Sequence, residues 1–322
     1  MYQIHNGDCA EVMASMGDDS VDAIVTDRTR SYQPTLDHAE KVNRSIKQMQ
    51  LASAMSERYY EKPLLLCYSG GKDSDVLVEL ALMSGIDFEV QHSRTTVDAP
   101  ETIYHVYRLF DRLKAEDIHC FINKPTYKGE RTSMWKLIPQ KQMPPTRLVR
   151  YCCKVLKETG GKNRAIATGV RKSESVARRN RVFANNFSKA RPAALDFEDA
   201  ASLFEDAENT IEHDDNFIRS CRIKGKTSFQ PIIEWLDDDV WQFIDEQDVE
   251  VNPLYADGFN RIGCIGCPFA SIAEREREFE RWPKYRDAYM RAFAKMLKHR
   301  RECGLETQWE TPEEVFDWWM SR

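Results

Sequence analysis

The sequence predicts an α/β fold with a doubly wound, mostly parallel sheet and a helical C-terminal extension. Short apolar runs, typical of buried strands, alternate with amphipathic stretches, typical of helices, and this alternation indicates a parallel sheet. A glycine-rich loop, residues 69–74, separates the apolar run Leu64–Tyr68 from an amphipathic stretch. The tail from Ile272 to Arg322 has a helical pattern and is rich in charge and tryptophan.

The predicted elements follow one another in order along the chain. Residues 1–30 have the pattern strand, helix, strand, and residues 36–60 have a helical pattern. Ligands bind beyond the carboxyl ends of the strands in such a sheet, so the loop at residue 69 lies at the expected ligand edge. The strands predicted after residue 60 are Leu64–Tyr68, Asp87–Gln91, His119–Ile122 and Ala165–Thr168, and a helix is predicted to begin at Pro100.

Charge is distributed unevenly along a chain of 322 residues whose net charge is −6. The segment from Lys124 to Arg181 has sixteen Lys or Arg against three acids, which suggests a local anion site. Residues 192–218 have nine acids and no Lys or Arg, which suggests a surface insertion. No apolar run approaches the ~20 residues of a membrane span and no secretory signal pattern begins the chain, so a cytoplasmic location is expected.

The hexapeptide from Ser69 to Ser74, SGGKDS, has the composition of a phosphate-binding loop. Its two glycines allow backbone N–H groups to turn inward, and the helix that follows adds the positive end of its dipole. Lys72 adds a full charge, and the two serines add hydroxyl donors. The spacing differs from the G-x-x-x-x-G-K-[ST] of P-loop nucleoside triphosphatases. A glycine-rich turn without a ligand is the alternative interpretation.

Four of the nine cysteines form two pairs, Cys152–Cys153 and Cys264–Cys267. Neighbouring strand residues point to opposite faces, so adjacent thiols reach one centre only from a turn or a helix end. An iron–sulfur cluster is wider than Zn²⁺ and takes adjacent thiolates more readily. The set therefore favours a [4Fe–4S] cluster, with Zn²⁺ or unrelated free thiols as alternatives. Cysteines without such spacing are expected in the core: Cys9, Cys67, Cys120 and Cys221.

The first 30 residues resemble the opening of amino-group DNA methyltransferases. The matching segments are Asn6–Cys9 and Asp22–Asp27. In that family the final Asp begins a DPPY catalytic motif, whereas Arg28, Thr29 and Arg30 follow here. The resemblance therefore implies a structural piece, residues 1–35, without methyl-transfer activity. The domain division predicted on this basis is 1–35, then 36–270 with an acidic insertion at about 192–218, then a helical extension at 271–322.

The segment from Ser69 to Cys267 resembles the phosphoadenosine phosphosulfate (PAPS) reductase superfamily, which includes adenylylsulfate reductases and the sulfur-transfer proteins of DNA phosphorothioation. SGGKDS itself is similar to the SGGxDS pyrophosphate loop, or PP-loop, of ATP pyrophosphatases, which cleave ATP between its α and β phosphates. The other matching segments are Asp98–Thr102, Arg150–Cys153, Thr168–Ser175 with Arg178, Pro231–Trp241, Asn252–Tyr255 and Gly263–Cys267.

This resemblance implies an adenine nucleotide α-hydrolase-like fold, a bound adenine nucleotide and a cluster held by Cys152, Cys153, Cys264 and Cys267. Mg²⁺ would offset phosphate charge with help from Asp73 or Asp98. Arginines suit the anionic groups because the guanidinium fork matches phosphate geometry. The predicted nucleotide-binding residues are Ser69, Gly70, Gly71, Lys72, Asp73, Ser74, Asp98, Gly169, Arg171, Arg178 and Arg179.

Two features bear on the chemistry. Sulfonucleotide reductases usually carry a degenerate phosphate loop, whereas this one is intact, which favours cleavage of ATP with Lys72 as a catalytic cation. The second feature favours reduction of a sulfonucleotide instead. Arg301–Leu305 resembles the ECGLH tail whose cysteine attacks a sulfonucleotide, although Glu306 stands at the histidine position. Cys303 is therefore a second catalytic candidate. The charges of Glu302 and Glu306 disfavour its thiolate, and those of Arg300 and Arg301 favour it.

The favoured hypothesis is a PP-loop enzyme that cleaves ATP to AMP and pyrophosphate and so activates an acceptor for sulfur transfer. The basic block, with Trp135 and Tyr151 within it, makes nucleic acid a candidate acceptor. Other expected partners are a sulfur donor such as a cysteine desulfurase, and a second copy of the chain. One alternative is a sulfonucleotide (APS or PAPS) reductase that makes sulfite with thioredoxin as reductant. Another is a non-catalytic regulator that binds a nucleotide.

Overall fold

The computed structural model describes residues 37–174, 178, 181–186, 193–202 and 225–321. The predicted methyltransferase-like piece at 1–35 and Arg179 lie outside the described residues. So do Cys9, Cys221 and most of the predicted acidic insertion.

A seven-stranded sheet is the centre of the described chain. Five strands run parallel in the order β3-β2-β1-β6-β9, and the antiparallel strands β7 and β8 extend the sheet beyond β9. A separate hairpin is formed by β4 and β5. The strands are β1 Leu64–Tyr68, β2 Phe88–Ser93, β3 Cys120–Asn123, β4 Thr126–Tyr127, β5 Glu130–Arg131, β6 Ala165–Ala167, β7 Ala184–Asn186, β8 Ala193–Leu195 and β9 Thr227–Phe229.

The strand order reverses at β1. Leu66 pairs with Val90 of β2 on one side and with Ala167 of β6 on the other. Chain connections leave β1 and β6 in opposite directions at such a point, so a crevice opens beyond the carboxyl ends of these two strands. The prediction of a doubly wound, mostly parallel sheet is confirmed.

Helices flank the sheet and form most of the C-terminal part. Three of the helices begin at a proline, namely Pro100, Pro283 and Pro312. Proline suits this position because a residue in the first turn of a helix does not need its N–H for a bond within the helix. The helices are α1 His38–Tyr60, α2 Lys72–Met83, α3 Pro100–Ala115, α4 Met134–Lys141, α5 Asp237–Glu246, α6 Ile272–Arg281, α7 Pro283–Glu302 and α8 Pro312–Met320, with a π-helical turn at Cys153–Lys157 and 3₁₀ turns at Lys172–Glu174 and Pro253–Tyr255.

Two apolar cores stabilise this arrangement. The first lies against the sheet and includes Leu66, Val76 and Phe243. The second joins α4 to the C-terminal helices through Ile138, Phe293, Trp319 and neighbouring side chains. The predicted helical C-terminal region is therefore confirmed, and it packs beside the segments that carry the cysteine pairs. Within the described residues, no helix combines the length and apolar character that crossing a membrane requires.

Candidate functional site

The loop at residues 69–74, called the phosphate loop below, connects β1 to α2 at the crevice. Gly70 has φ +80°, and a Cβ there would lie 2.8 Å from Thr102 Cγ2, so both conformation and space require glycine. The Ser74 hydroxyl donates to the Gly71 carbonyl at 2.7 Å and lies 3.2 Å from the Ser69 hydroxyl. These bonds fold the loop into a closed turn at the start of the helix.

Residues from far along the chain hold the loop in place. Buried Asn252 donates its amide N–H groups to the Gly70 carbonyl and to Thr102 Oγ1, both at 3.0 Å. The Tyr255 hydroxyl accepts from the backbone N–H of Lys72 at 3.0 Å, and burial raises the pKa of Tyr255. Both belong to the Asn252–Tyr255 segment, to which the sequence assigned no role. Its place among the matching motifs is the signal that pointed to it.

Two cations and two carboxylates meet at the mouth of the crevice. Lys72 Nζ lies 3.0 Å from Asp237 Oδ1 and 3.7 Å from Asp73 Oδ2. Arg171 Nε lies 2.6 Å from Asp73 Oδ1, and Arg171 Nη2 lies 2.9 Å from Asp237 Oδ1. Lys72 and Arg171 are buried. The structure thus brings together three predicted residues, Lys72, Asp73 and Arg171, and adds Asp237, which sequence reasoning missed.

The pKa of Asp237 reflects these neighbours. Partial burial alone would raise it, but hydrogen bonds and charge from Lys72 and then Arg171 hold it below the usual aspartate value. The carboxylate is therefore ionised at neutral pH and neutralises one of the two buried cations.

The turn after β6 forms the other wall of the crevice. A Cβ on Gly169 would lie 2.6 Å from the Asp73 carbonyl oxygen, so this glycine lets the turn approach the first turn of α2. Arg178 pairs with Glu174, and the Glu174 carboxylate also accepts from the Arg171 N–H at 3.1 Å. The predicted Gly169, Arg171 and Arg178 therefore lie on one connected segment.

The four paired cysteines are called the cysteine centre below, and three of them act on the charge of Lys157. Lys157 is exposed as a residue, yet its pKa is raised by Cys264 first, and also by Asp98, Cys267 and Cys153. The buried Tyr289 has a raised pKa because of burial, and then because of Cys264, Cys267 and Cys152. Both pairs therefore face the same region of the molecule.

The thiols within this centre differ in acidity. A hydrogen bond from Cys152, with help from Arg150, lowers the pKa of Cys153 to about 5, although partial burial opposes this. The same hydrogen bond raises the pKa of Cys152, so the adjacent pair holds one thiolate and one thiol at neutral pH. Burial raises the pKa of Cys264 to about 11.

The donor set can be compared with the predicted cofactors. Among residues 37–321 that the structure describes, no three His, Cys, Asp or Glu side chains are grouped so that they could hold one metal ion. Thiolates that bind a cluster are spaced more widely than those that bind Zn²⁺, because four irons separate them. Four thiols facing one region fit an iron–sulfur cluster in donor chemistry. The side chains that would hold it are Cys152, Cys153, Cys264 and Cys267.

A family model for the phosphoadenosine phosphosulfate reductase domain matches residues 63–270. The chain belongs to this family. The match includes the phosphate loop, Arg171, Asp237 and the whole cysteine centre, and it ends before α6. The relatives of the chain include an adenosine 5′-phosphosulfate reductase.

Curated relatives agree with this assignment. An uncharacterized protein of Methanocaldococcus jannaschii is 28% identical over 267 residues, which are 81% of this chain and 54% of the relative. The adenosine 5′-phosphosulfate reductase of Staphylococcus saprophyticus is 24% identical over 263 residues, 77% of this chain and 83% of that enzyme. The chain spans about half the length, or less, of the first M. jannaschii relatives, with 54% and 40% coverage.

Two solved structures are examples of those to which the chain is similar. The PAPS reductase of Candida auris is 17% identical with a TM-score of 0.37, covering 68% of this chain and 87% of that one. The U34-tRNA thiolase of Methanococcus maripaludis, solved with its [4Fe–4S] cluster, is 12% identical with a TM-score of 0.36, covering 89% and 91%.

Asp98 lies beside the cysteine centre of this PAPS reductase family member. It forms an isolated antiparallel bridge with Cys264, and its carboxylate accepts from the Thr95 N–H at 3.0 Å. Its charge also acts on Lys157 and on His92 at the end of β2. The sequence placed Asp98 among the nucleotide-binding residues, and that role stays a prediction. Its described contacts are with the loop after β2, with the Cys264 turn and, through its carbonyl, with the Tyr285 hydroxyl.

Cys303 lies at the end of α7, where it is exposed. Its sulfur is 3.9 Å from His299 Nε2 and 3.8 Å from Gln142 Nε2. Neither neighbour belongs to the phosphate loop or to the cysteine centre. Its role as a nucleophile stays a prediction.

Proposed function

We propose that this chain is a PP-loop enzyme that cleaves ATP to AMP and pyrophosphate and so activates an acceptor oxygen for sulfur transfer. The observation that carries this proposal is the pairing of an intact, closed phosphate loop with two buried cations, Lys72 and Arg171, at the crevice of the sheet. Buried cations whose positions are fixed by packing are suited to stabilise charge on a transferring phosphoryl group.

Each residue has a part in the proposed reaction. The Gly70–Gly71 backbone and the Ser74 hydroxyl hold terminal phosphates, and Lys72 and Arg171 bind their oxygens. The acceptor oxygen forms a bond to the α-phosphorus, and the bond from that phosphorus to the bridging oxygen breaks. Pyrophosphate leaves with the electron pair, and the buried cations offset its charge. Sulfur from the donor then attacks the acceptor atom that bears this oxygen, and AMP leaves with the oxygen. Mg²⁺, when bound with the nucleotide, would supply further charge neutralisation, and Asp73 is the carboxylate that we propose to hold it.

The cysteine centre is proposed to hold a [4Fe–4S] cluster through Cys152, Cys153, Cys264 and Cys267. Such a cluster supplies redox chemistry or a binding position for sulfur when it is present. A cleft lined by Phe259, Arg261, Cys264, Cys267 and neighbours lies against the second cysteine pair. The exposed Arg147, Arg150 and Lys154 beside it support nucleic acid as the acceptor class.

A pyrophosphate-release assay tests the proposed reaction. The protein incubated with Mg²⁺ and ATP labelled in the γ-phosphate should release labelled pyrophosphate, at least once an acceptor such as bulk tRNA or DNA is supplied. Lys72→Ala should lower this rate about 100-fold, because a preorganised charge at the leaving group is lost. Lys62→Ala, which removes an exposed lysine just before β1, is the matched control and should leave the rate unchanged. Equal rates in the two variants would refute the proposal.

The second candidate function is a sulfonucleotide reductase. Its support is the adenosine 5′-phosphosulfate reductase relative, of which the chain covers 83%. This candidate predicts sulfite from adenylylsulfate without ATP, in the presence of reduced thioredoxin, and loss of that activity in Cys303→Ser. Nucleotide binding with neither pyrophosphate nor sulfite would instead indicate a regulator.

A further inference from the structure

One oxygen atom joins the two buried cations of the crevice. Asp237 Oδ1 lies 3.0 Å from Lys72 Nζ and 2.9 Å from Arg171 Nη2. Lys72 belongs to the phosphate loop and begins α2, and Arg171 follows β6, so the two cations come from opposite sides of the switch point. Asp237 belongs to neither of these two segments, since it is the first residue of α5. Its carboxylate enters the crevice from outside.

The exposure of the three side chains is unequal. The side chains of Lys72 and Arg171 are 8% and 4% exposed, whereas that of Asp237 is 59% exposed. The rings of Trp241 and Tyr255 each lie 5.8 Å from Lys72 Nζ and help to fix it. The cations are therefore held by the fold, and the carboxylate that bridges them can swing into solvent without opening the core.

The position of Asp237 sets the net charge that the crevice presents to an anion. Lys72 and Arg171 together with Asp73 and Asp237 sum to zero, so the crevice offers an incoming anion little net attraction while Asp237 stays in place. Withdrawal of Asp237 leaves a net positive site with two unsatisfied, preoriented donors. Hydrogen bonds to a charged partner are the strong ones, so a multiply charged phosphate chain regains more at this site than a singly charged anion.

We propose that Asp237 Oδ1 occupies the position of a phosphate oxygen, and that the phosphate chain of the nucleotide displaces this carboxylate when it binds. Asp237 is thus an internal competitor that keeps singly charged anions out of the crevice and admits ligands with two or more linked phosphates. This inference rests on the proposed function, because it takes Lys72 and Arg171 as the phosphate-binding cations. It adds a residue that sets the selectivity of the same site.

Binding measurements on three variants test the proposal. Inorganic pyrophosphate without Mg²⁺ is the probe, adenosine is the control ligand, and isothermal titration calorimetry gives the affinities. Asp237→Asn should bind pyrophosphate about fivefold more tightly than the unmodified protein, because a partly exposed ion pair no longer competes. Asp238→Asn removes the same charge from the same exposed helix turn and should change the affinity less than twofold. Asp237→Glu, which keeps the carboxylate, should restore weaker binding, and adenosine affinity should not change.

The outcomes separate this inference from the function on which it rests. If Asp237→Asn binds pyrophosphate no more tightly than Asp238→Asn, or more weakly, Asp237 only supports the cations and the inference is wrong. If Lys72→Ala leaves pyrophosphate affinity unchanged, the phosphate loop has been misinterpreted and the proposed function itself fails. Loss of binding in Lys72→Ala together with a gain in Asp237→Asn supports both.

Discussion

At position 169 a single methyl group would lie 2.6 Å from the Asp73 carbonyl oxygen, closer than side-chain carbons approach backbone in folded proteins. The turn after β6 and the first turn of α2 can therefore meet only if this residue has no side chain. Arg171 reaches Asp73 and Asp237 because of that approach. The width of the crevice therefore depends on this one glycine.

Gly169→Ala should separate the two turns. We expect a loss of about 1–3 kcal/mol in the free energy of unfolding, typical of overpacking, together with weaker nucleotide binding. Urea denaturation and a binding titration measure the two effects. Gly263→Ala is the control, because a Cβ there meets only the Arg261 side chain, at 3.8 Å or more. Equal effects of the two substitutions would mean that the crevice tolerates a wider spacing.

The residues of the site differ in how far the sequence could predict them. Lys72 and Arg171 stand in motifs whose composition already indicates phosphate binding. Asp237 stands in a segment with three consecutive acids, and nothing local distinguishes it from Asp238. Its contact with Arg171 spans 66 residues of chain, so only the folded strand order brings the two together. The contacts of Asp98 were hard to predict for a similar reason, since its bridge to Cys264 cannot be read from neighbouring residues.

At the scale of elements, α5 is tied to α1 through its first turn. Asp239 accepts from the Leu236 N–H at 2.6 Å, and the same carboxylate oxygen lies 2.6 Å from Lys41 Nζ of α1. Partial burial alone would raise the pKa of Asp239, but Lys41 and the Leu236 N–H hold it below the usual value. One carboxylate therefore caps a helix and pairs two elements of the first core.

Asp239→Asn should cost about 1 kcal/mol at pH 7, as the loss of a helix cap does. A group whose pKa is lowered on folding contributes stability above its unfolded value, and that contribution is lost as pH falls through the folded pKa. The difference between the two proteins should therefore be full at neutral pH and should close below about pH 4. Urea midpoints measured from pH 3 to pH 7 check this. A difference that does not depend on pH would show that the charge of Asp239 is not involved.

Strands and helices were predicted better than irregular elements. The predicted strand Leu64–Tyr68 has the observed bounds, and Asp87–Gln91 is displaced by one or two residues from Phe88–Ser93. Period-2 and period-3.6 patterns report burial on one face, which these elements have. The π-helical turn at Cys153–Lys157 and the antiparallel edge strands have no such pattern, because their form depends on contacts with distant segments.

At the scale of the whole molecule, the phosphate loop and the cysteine centre rest on different cores. Tyr68 and Val76, on either side of the loop, belong to the core against the sheet. Cys152 and Cys264 pack against the core of the C-terminal helices. A metal held by the four thiols would therefore stabilise the second core directly, and a nucleotide would stabilise the first.

Anaerobically purified protein should be brown and contain about four irons per chain. Removal of that iron by a chelator should speed hydrogen exchange at α4, α7 and α8 more than at α2 and α3, because ligand binding stabilises the elements that form its site. Iron analysis and hydrogen-exchange mass spectrometry measure the two effects. Colourless protein that holds one Zn²⁺ per chain would refute the cluster.

The bridge between Asp98 and Cys264 links the cysteine centre to the segment before α3. Ile265 also donates its N–H to the Val97 carbonyl at 2.8 Å, so the thiol-bearing turn is bonded to the segment that begins α3. The Asn252 side-chain amide donates hydrogen bonds both to Thr102 of that helix and to the Gly70 carbonyl. A continuous chain of backbone hydrogen bonds and one buried amide therefore fixes the distance between the phosphate loop and the cysteine centre. In the proposed reaction, the activated acceptor would have to span that distance itself, because the protein frame does not shorten it.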